Sequence, residues 1–427
     1  VDYWMDGGVD LYIGGIEHAV MHLLYARFFT KFTRDAGMNE VGEPFGRLVC
    51  QGMLNAPAPY CSDCNSEYHV DYFESVCPTC GKELSSRSAK MSKSLGNTVS
   101  PEEMISRFGA DTVRLFILFG ANPEAGMDWS DSALEANHRQ INSLFVAIDE
   151  AMALSDAPSK IDGWLLSRIR ASQNRWIEAM SDVSLREGVM ISHFEILSDW
   201  NWYLRRGGLD RTTAMKFLEG WIPMLAPATP HVAEELWNKF GGKDLLAALE
   251  MPTLSIETDD LHILAEEEYV KGIISSARNL RNLAERHSKK PISSVVIQTS
   301  PIWKSDLASE AIKLHFSEFD FKANGQEHVK SLEIFNEEST RGEVFHTWNS
   351  ITVGGKKTRG KIYTWSEGSR YLLSEGIDEL GIISANSDFI ASALGVENVE
   401  AYRVGEGEDV GGKARISFPL EPGIAFL

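Results

Sequence analysis

The sequence has no uninterrupted apolar run near the ~18 residues a membrane-spanning helix requires, which excludes a helical membrane protein. It has few cysteines, 5 in 427 residues, too few for a disulfide framework in a chain of this size. Basic residues are outnumbered: 41 Lys and Arg stand against 61 Asp and Glu, for a net charge of −20. Such acidity excludes a protein that coats nucleic acid nonspecifically, although a selective RNA contact needs only a local basic surface. There is no internal repeat and no low-complexity tract. The opening residues Val1, Asp2, Tyr3 and Trp4 are not a basic-then-apolar leader, so export is not expected and a cytoplasmic location is. Nor does the chain open on Met; Val1 is not read as a natural start, and the chain reads as a piece or a split subunit.

What is present suits ordinary cores. Hydrophobic residues make up 43%, which excludes wholesale disorder, and at roughly 150 residues per domain the length suggests about three domains. Residues 9–13 read as a short buried strand that Gly14 and Gly15 break. A helix is expected from about Ile16 to Ala36, with Val20, Leu23, Leu24 and Phe28 at helical spacing. Residues 47–54 read as another strand. Strand, glycine turn and helix together suggest part of an α/β sheet that places its ligand at the carboxyl ends of the strands. A cysteine-bearing segment at 60–84 interrupts this pattern as an insertion. Residues 85–98 read as a Ser, Lys and Gly-rich loop. Ser100 then caps a helix, Pro101 fits its first turn and Glu103 completes a capping box. Helical periodicity from 131 to about 240 predicts a bundle punctuated by Pro223, Pro227 and Pro230. A connector at 243–262 leads into alternating helices and short strands, a small α+β domain.

Two segments carry chemistry on spacing alone. Cys61 and Cys64, twelve intervening residues, then Cys77 and Cys80 form two CxxC knuckles able to place four thiolates tetrahedrally around a structural zinc. The alternative is four reduced, unliganded thiols. His69, between the pairs, reads as exposed rather than as a ligand. Lys90-Met91-Ser92-Lys93-Ser94 sets two lysines three apart among small hydroxyl residues, a cationic loop suited to neutralising polyphosphate charge in a transition state. It lacks the GxxxxGK[ST] spacing of a Walker loop. The alternative is a solvated surface loop.

Lys90–Ser94 reads KMSKS and resembles the signature loop of class I aminoacyl-tRNA synthetases. Phe108-Gly-Ala-Asp111-Thr-Val-Arg114-Leu-Phe116 is similar to the stretch that follows that loop in the class, and Trp129-Ser130 resembles the join to the tRNA-binding helices. Asp10-Leu-Tyr12-Ile-Gly-Gly15-Ile-Glu17-His18-Ala-Val-Met-His22 resembles the strand–turn–helix of leucyl-tRNA synthetases. The chain is thereby identified as resembling the C-terminal part of an archaeal-type leucyl-tRNA synthetase. The fold implied is a partial Rossmann-like α/β catalytic fold (1–59), a zinc-binding insertion (60–84), a KMSKS and stem-contact segment (85–130), a helical anticodon-binding-type domain (131–255) and a C-terminal tRNA-binding α+β domain (256–427).

The resemblance implies an enzyme that joins leucine to ATP, releases pyrophosphate and transfers leucine to tRNA(Leu). Lys90 and Lys93 would stabilise pyrophosphate charge. Tyr12, His18 and His22 would line the leucine side-chain pocket. Gly15, Glu17 and Gln51, with Met91 and Ser92 of the loop, would meet the nucleotide. ATP with Mg²⁺ and a structural Zn²⁺ are the implied cofactors. For the pair His18 and His22, four apart on one helical face, zinc binding and plain core or capping roles stay open as alternatives. No HIGH-like motif and no editing insertion are found, so the chain is expected to be inactive alone and to need a missing N-terminal half, on the same chain or a separate one. A noncatalytic tRNA-binding paralogue and a natural split subunit are the other readings.

Asn201-Trp202-Tyr203-Leu204-Arg205-Arg206 and Leu225–Trp237 resemble segments of the helical anticodon-binding domain. For both, helix packing and capping compete with contacts to bases or phosphates. Basic clusters at Arg278, Arg281, Arg286, Lys289 and Lys290, and at Lys356, Lys357, Arg359 and Lys361, are candidate phosphate contacts or solvated faces. The C-terminal ending from Lys413 carries the archaeal-type resemblance.

Overall fold

The computed structural model describes the chain except residues 1–8, 16–17, 19, 252–257, 288–291, 303–304, 306–308, 310–317, 321–361, 365–366 and 414–416. It divides into two units, Val1–Ser255 and Ile256–Leu427.

In the first unit, β1 (Val9–Gly15) pairs in parallel with β2 (Phe45–Gln51), and α1 (His22–Asp35) lies between them in sequence. The glycine doublet does not break the strand. Gly14 and Gly15 pair with Cys50 and Gln51, so the ladder runs to the end of both strands. The helix expected from about Ile16 runs, among the described residues, from His22 to Asp35. Within α1 Leu23 alone is buried. Val20, just before it, is 75% exposed, and Phe28 and Phe32 are 61% and 56% exposed while stacked on each other. A parallel sheet is ordinarily covered on both faces, and a two-stranded one is not stable by itself. These two strands and their helix thus present apolar surface of the kind a covering layer buries.

The second strand ends at Gln51, not at residue 54. Gly52 donates its N–H to Pro123 O at 2.8 Å and passes so close to the Ala125–Gly126 backbone that a side chain there would overlap it. The chain then enters β3 (Leu54–Cys61), the centre of a second sheet. Its partners are β4 (Ser66–Glu67) and β5 (Ser85–Lys90), both antiparallel, and β6 (Met127–Asp128), parallel. The expected loop at 85–98 is therefore half strand: Ser85 to Lys90 pair residue by residue with Tyr60 to Asn55. The cysteine segment is carried at the far end of this ribbon.

Ser100 caps α2 (Pro101–Phe108), accepting from Glu103 N at 3.4 Å, with Pro101 in the first turn. Helices follow: α3 (Ala110–Gly120), α4 (Asp131–Ala153), α5 (Ile161–Ser181), α6 (Leu185–Met190), α7 (Ile196–Arg205), α8 (Arg211–Leu225) and α9 (Pro230–Phe240). A π turn at Ile191–Glu195 joins α6 to α7. Pro223 sits inside α8 rather than between helices, while Pro230 opens α9. The bundle core is aromatic. Trp164, Trp200, Trp221, Tyr203 and Phe217 are all fully buried, and Trp200 stacks on Phe217 with ring centroids 5.6 Å apart.

The second unit is built on the long α10 (Thr258–His287) and a three-stranded sheet. In it β7 (Ser294–Thr299) is central, flanked by β10 (Asn398–Arg403) in parallel and β11 (Gly423–Phe426) antiparallel. A separate pair joins β8 (Glu318–Asp320) to β9 (Ile362–Thr364). Helices α11 (Glu367–Glu375), α12 (Glu379–Ala385) and α13 (Ser387–Leu394) complete it. The chain thus combines mixed α/β elements with a large helical fraction.

Candidate functional site

One set of sequence-predicted residues lies along β1 and at the start of α1. The Tyr12 ring stacks on Phe45 at 4.4 Å, and its hydroxyl lies 2.5 Å from His22 Nε2. The His18 ring stands edge-on to His22 at 6.3 Å. Strand register sets Gly15 beside Gln51. Glu17 lies outside the described residues. Both histidines are exposed. Among the described residues neither belongs to a group of side chains close enough to share a metal ion.

The lysine-bearing loop is reached from the same strand ends. Lys90 closes β5 opposite Asn55, four residues beyond Gln51. Four extended residues span at most about 14 Å and paired strands lie about 5 Å apart, so the Lys90 backbone is within about 20 Å of Gln51. The loop is built around buried Asn97, which sequence reading passed over. Its Oδ1 accepts from Ser92 N at 2.9 Å, and its Nδ2 reaches the carbonyls of Ala56, Ala89 and Lys90 at 3.3, 3.4 and 3.5 Å. One amide therefore ties the loop to the ends of both strands of the ribbon. Ser92 Oγ also accepts from Leu95 N at 3.2 Å, and Met91 N donates to Leu54 O. Lys90 and Lys93 are exposed.

The four cysteines converge. The sulfurs of Cys61, Cys64, Cys77 and Cys80 all lie within 4.8 Å of one another. Cys61 Sγ is 3.5 Å from Cys80 Sγ and Cys64 Sγ is 3.8 Å from Cys77 Sγ, too far apart for disulfides. The turns that make this possible are tight: Asn65 and Gly81 both take positive φ, 49° and 71°. Burial pushes the Cys77 thiol up, but hydrogen bonds from the Tyr68 hydroxyl and the backbone N–H groups of Cys80 and Thr79 outweigh it and hold it at about 5. The neighbouring Cys64 is pushed up to about 12 by its hydrogen bond with Cys80 and by burial. Four sulfurs this close together are a donor set suited to a cation such as Zn²⁺, which deprotonates thiols on binding.

A third constellation joins the stem-contact segment to the bundle. Asp111, buried in α3, accepts from His231 Nδ1 at 2.8 Å and Val232 N at 2.7 Å, and so supplies α9 with a cap from another helix. One turn on, Arg114 donates to Ala228 O at 3.0 Å and Pro227 O at 2.8 Å. The Asp and Arg of the FGADxxR stretch thus grip both sides of the α8–α9 turn.

Two family models match parts of the chain. "tRNA synthetases class I (I, L, M and V)" covers residues 79–130, and "Anticodon-binding domain of tRNA ligase" covers residues 162–297. The leucine–tRNA ligase of Desulfatibacillum aliphaticivorans is 36% identical over 262 residues, covering 56% of this chain and 30% of that protein. The leucine–tRNA ligase of Oleidesulfovibrio alaskensis is 37% identical over 264 residues, covering 58% of this chain and 28% of that protein.

The chain is a homologue of the leucine–tRNA ligases.

It spans under a third of the length of these relatives. Among solved structures, the ternary complex of Agrobacterium radiobacter K84 agnB2 LeuRS with tRNA and LeuAMS is similar with a TM-score of 0.45 and 26% identity, covering 68% of this chain and 30% of that one. These relatives lend no support to the archaeal-type reading of the C-terminal ending. The anticodon-binding match continues through α10 into β7, past residue 255.

Several candidate RNA contacts in this leucine–tRNA ligase homologue are packing residues instead. Trp202 and Tyr203 are buried, and the Tyr203 hydroxyl donates to Asp162 Oδ1 at 2.7 Å, so neither ring is open to stack on a base. Arg205 lies exposed over Trp202. The Leu225–Trp237 segment is the turn that Asp111 and Arg114 hold. Arg278 donates to Ala393 O at 3.0 Å, and Arg281 to the carbonyls of Leu394 and Gly395, so both close the C-terminal end of α13. The Arg286 side chain, Lys289, Lys290, Lys356, Lys357, Arg359 and Lys361 lie outside the described residues. No helix among the described residues is long and apolar enough to cross a membrane.

Proposed function

We propose that the chain is the C-terminal part of a leucyl-tRNA synthetase and completes its active site together with an N-terminal half of the nucleotide fold. In this reading Tyr12, His18 and His22 wall the leucine side-chain pocket, with Phe45 backing Tyr12. Gly15, Glu17 and Gln51 meet the adenosine. Met91 and Ser92 flank the triphosphate, and the ammonium groups of Lys90 and Lys93 take up the charge that builds on the departing pyrophosphate. The work is electrostatics and positioning, with no covalent intermediate on the protein. Mg²⁺ accompanying ATP would add further charge neutralisation at the phosphates. Zn²⁺ in the four-cysteine cluster would hold the insertion. The helical bundle and the second unit would bind tRNA(Leu) in the cytoplasm. The domain division is proposed as 1–59, 60–84, 85–130, 131–255 and 256–427.

The observation that carries this reading is the arrangement of the strand ends. Tyr12 sits on the parallel strand pair and bonds His22 at the start of the helix that connects its strands, and the ribbon that delivers Lys90 starts three residues after β2 ends. The exposed apolar face of α1 supports an absent covering layer, for which the N-terminal half of the fold is the fitting occupant. In this reading the chain is inactive by itself, since the other half of the nucleotide clamp is supplied by the HIGH-bearing half. The test is leucine-dependent ATP–pyrophosphate exchange by the chain with and without a separately produced HIGH-bearing half. Exchange only in the mixture supports the reading; exchange by the chain alone refutes the proposed inactivity.

A further inference from the structure

Three consecutive residues run from the thiolate cluster to the signature loop. The Tyr68 hydroxyl lies 3.2 Å from Cys77 Sγ and 3.0 Å from Thr79 Oγ1, while Tyr68 N donates to Pro59 O at 2.8 Å. One end of the run is thereby fixed to a cysteine of the second knuckle and to β3. Val70 N donates to Leu95 O at 2.9 Å, directly onto the loop. Between them, the His69 ring covers Gly96. That glycine holds φ +67°, and a Cβ on it would overlap the imidazole. The ring is itself oriented: Nδ1 accepts from Asp71 N at 3.3 Å and lies 3.0 Å from the Asp71 carboxylate. This gives the histidine between the cysteine pairs a task that sequence spacing does not show.

We propose that the cysteine cluster positions the signature loop through Tyr68, His69 and Val70, so that metal bound by the four sulfurs holds the Ser92–Gly96 turn in place. With the cluster closed, Cys77 anchors Tyr68, the backbone that follows is held, and His69 and Val70 press on Gly96 and Leu95. With the cluster open, the knuckles lose their common tie, and the loop is left with its internal bonds and the anchor of Asn97. His69 is a positioning residue, since it touches the loop and no reacting atom. The consequence for catalysis rests on the function proposed above; the mechanical link does not.

The experiment is amide hydrogen exchange on the full chain, loaded with Zn²⁺ or stripped with a chelator, together with the zinc-loaded variants His69→Ala and His69→Phe. Loss of one hydrogen bond of ordinary strength corresponds to about fivefold faster exchange. Stripping the metal is expected to speed exchange at Val70, Leu95 and Gly96 by at least that factor. His69→Ala is expected to do the same at Leu95 and Gly96 with zinc stoichiometry and the Cys77 and Gly81 amides unchanged. His69→Phe, which keeps a flat ring over Gly96, is expected to restore most of the protection. Should stripping unfold the insertion outright, the zinc-loaded variants decide. Unchanged loop exchange in His69→Ala overturns the proposal, as does loop exchange that ignores metal in a chain that stays folded. Failure of the synthetase reading would show as absent pyrophosphate exchange in the mixture with the HIGH-bearing half and would leave these amide rates untouched.

Discussion

The carboxylate of Asp111 accepts hydrogen bonds from both His231 Nδ1 and Val232 N, 120 residues away in sequence, and is itself almost fully buried. A helix from the signature half of the first unit thus caps a helix of the bundle. Asp111→Ala leaves the Val232 N–H without its acceptor and removes the partner of His231. The expected loss is about 1–2 kcal/mol, the usual cost of deleting a helix cap, read from urea unfolding. Arg114→Ala, which frees two carbonyls of the same turn, is expected to be less than additive with it, because both act on one structure.

The bundle contains a built-in acid sensitivity. His193 is completely buried between Ser192 Oγ at 2.8 Å and Thr229 Oγ1 at 2.9 Å, and burial pushes its pKa down to about 3. The unfolded chain binds a proton on this histidine below about pH 6.5 and the folded chain does not. Stability is therefore retained above about pH 6.5 and falls as the pH drops toward 3, by roughly 1.4 kcal/mol per pH unit. His193→Gln is expected to be less stable at neutral pH, yet to show a flatter acid limb between pH 6 and 4 in thermal unfolding. An unchanged slope would contradict the assignment.

Removing one sulfur should disable the proposed zinc site. Cys61→Ser and Cys77→Ser, both at buried sulfurs, are expected to lower bound zinc from one per chain to near zero, measured by elemental analysis after dialysis. A zinc content near zero in carefully purified unmodified chain would remove the metal site altogether.

Trp202 and Arg205 separate packing from recognition. Trp202 is buried, so Trp202→Ala is expected to cost about 3–5 kcal/mol of stability. Arg205 is exposed, so Arg205→Ala should change stability by less than about 0.5 kcal/mol. Any direct contribution of this segment to tRNA affinity should appear in the arginine variant, measured by filter binding at fixed salt.

What was legible in the sequence was local. The two CxxC knuckles and the Ser100 cap each depend on residues a few positions apart, and the structure brings the four sulfurs together and caps α2 with Ser100. Errors arose where a distant partner overruled local chemistry. Gly14 and Gly15 read as a strand end, but parallel pairing with Cys50 and Gln51 carries the ladder through them. Ser85–Lys90 reads as a polar loop, but β3 recruits it as a strand. Trp202 and Tyr203 left stacking on RNA open until burial closed it. Asp111, Asn97 and His69 act through groups that no periodicity links to them. Of the proposed pocket, Tyr12, His18 and His22 are found together, and the loop lysines are set within chain reach of the same strand ends.

The most direct test of the central claim is pyrophosphate exchange with the HIGH-bearing half supplied separately, comparing the unmodified chain with Lys93→Ala. The expected result is leucine-dependent exchange in the mixture that falls by about 10²–10³ in the variant, the usual cost of losing one preorganised charge at a transition state, with leucine KM little changed. Exchange undiminished by Lys93→Ala would contradict the account.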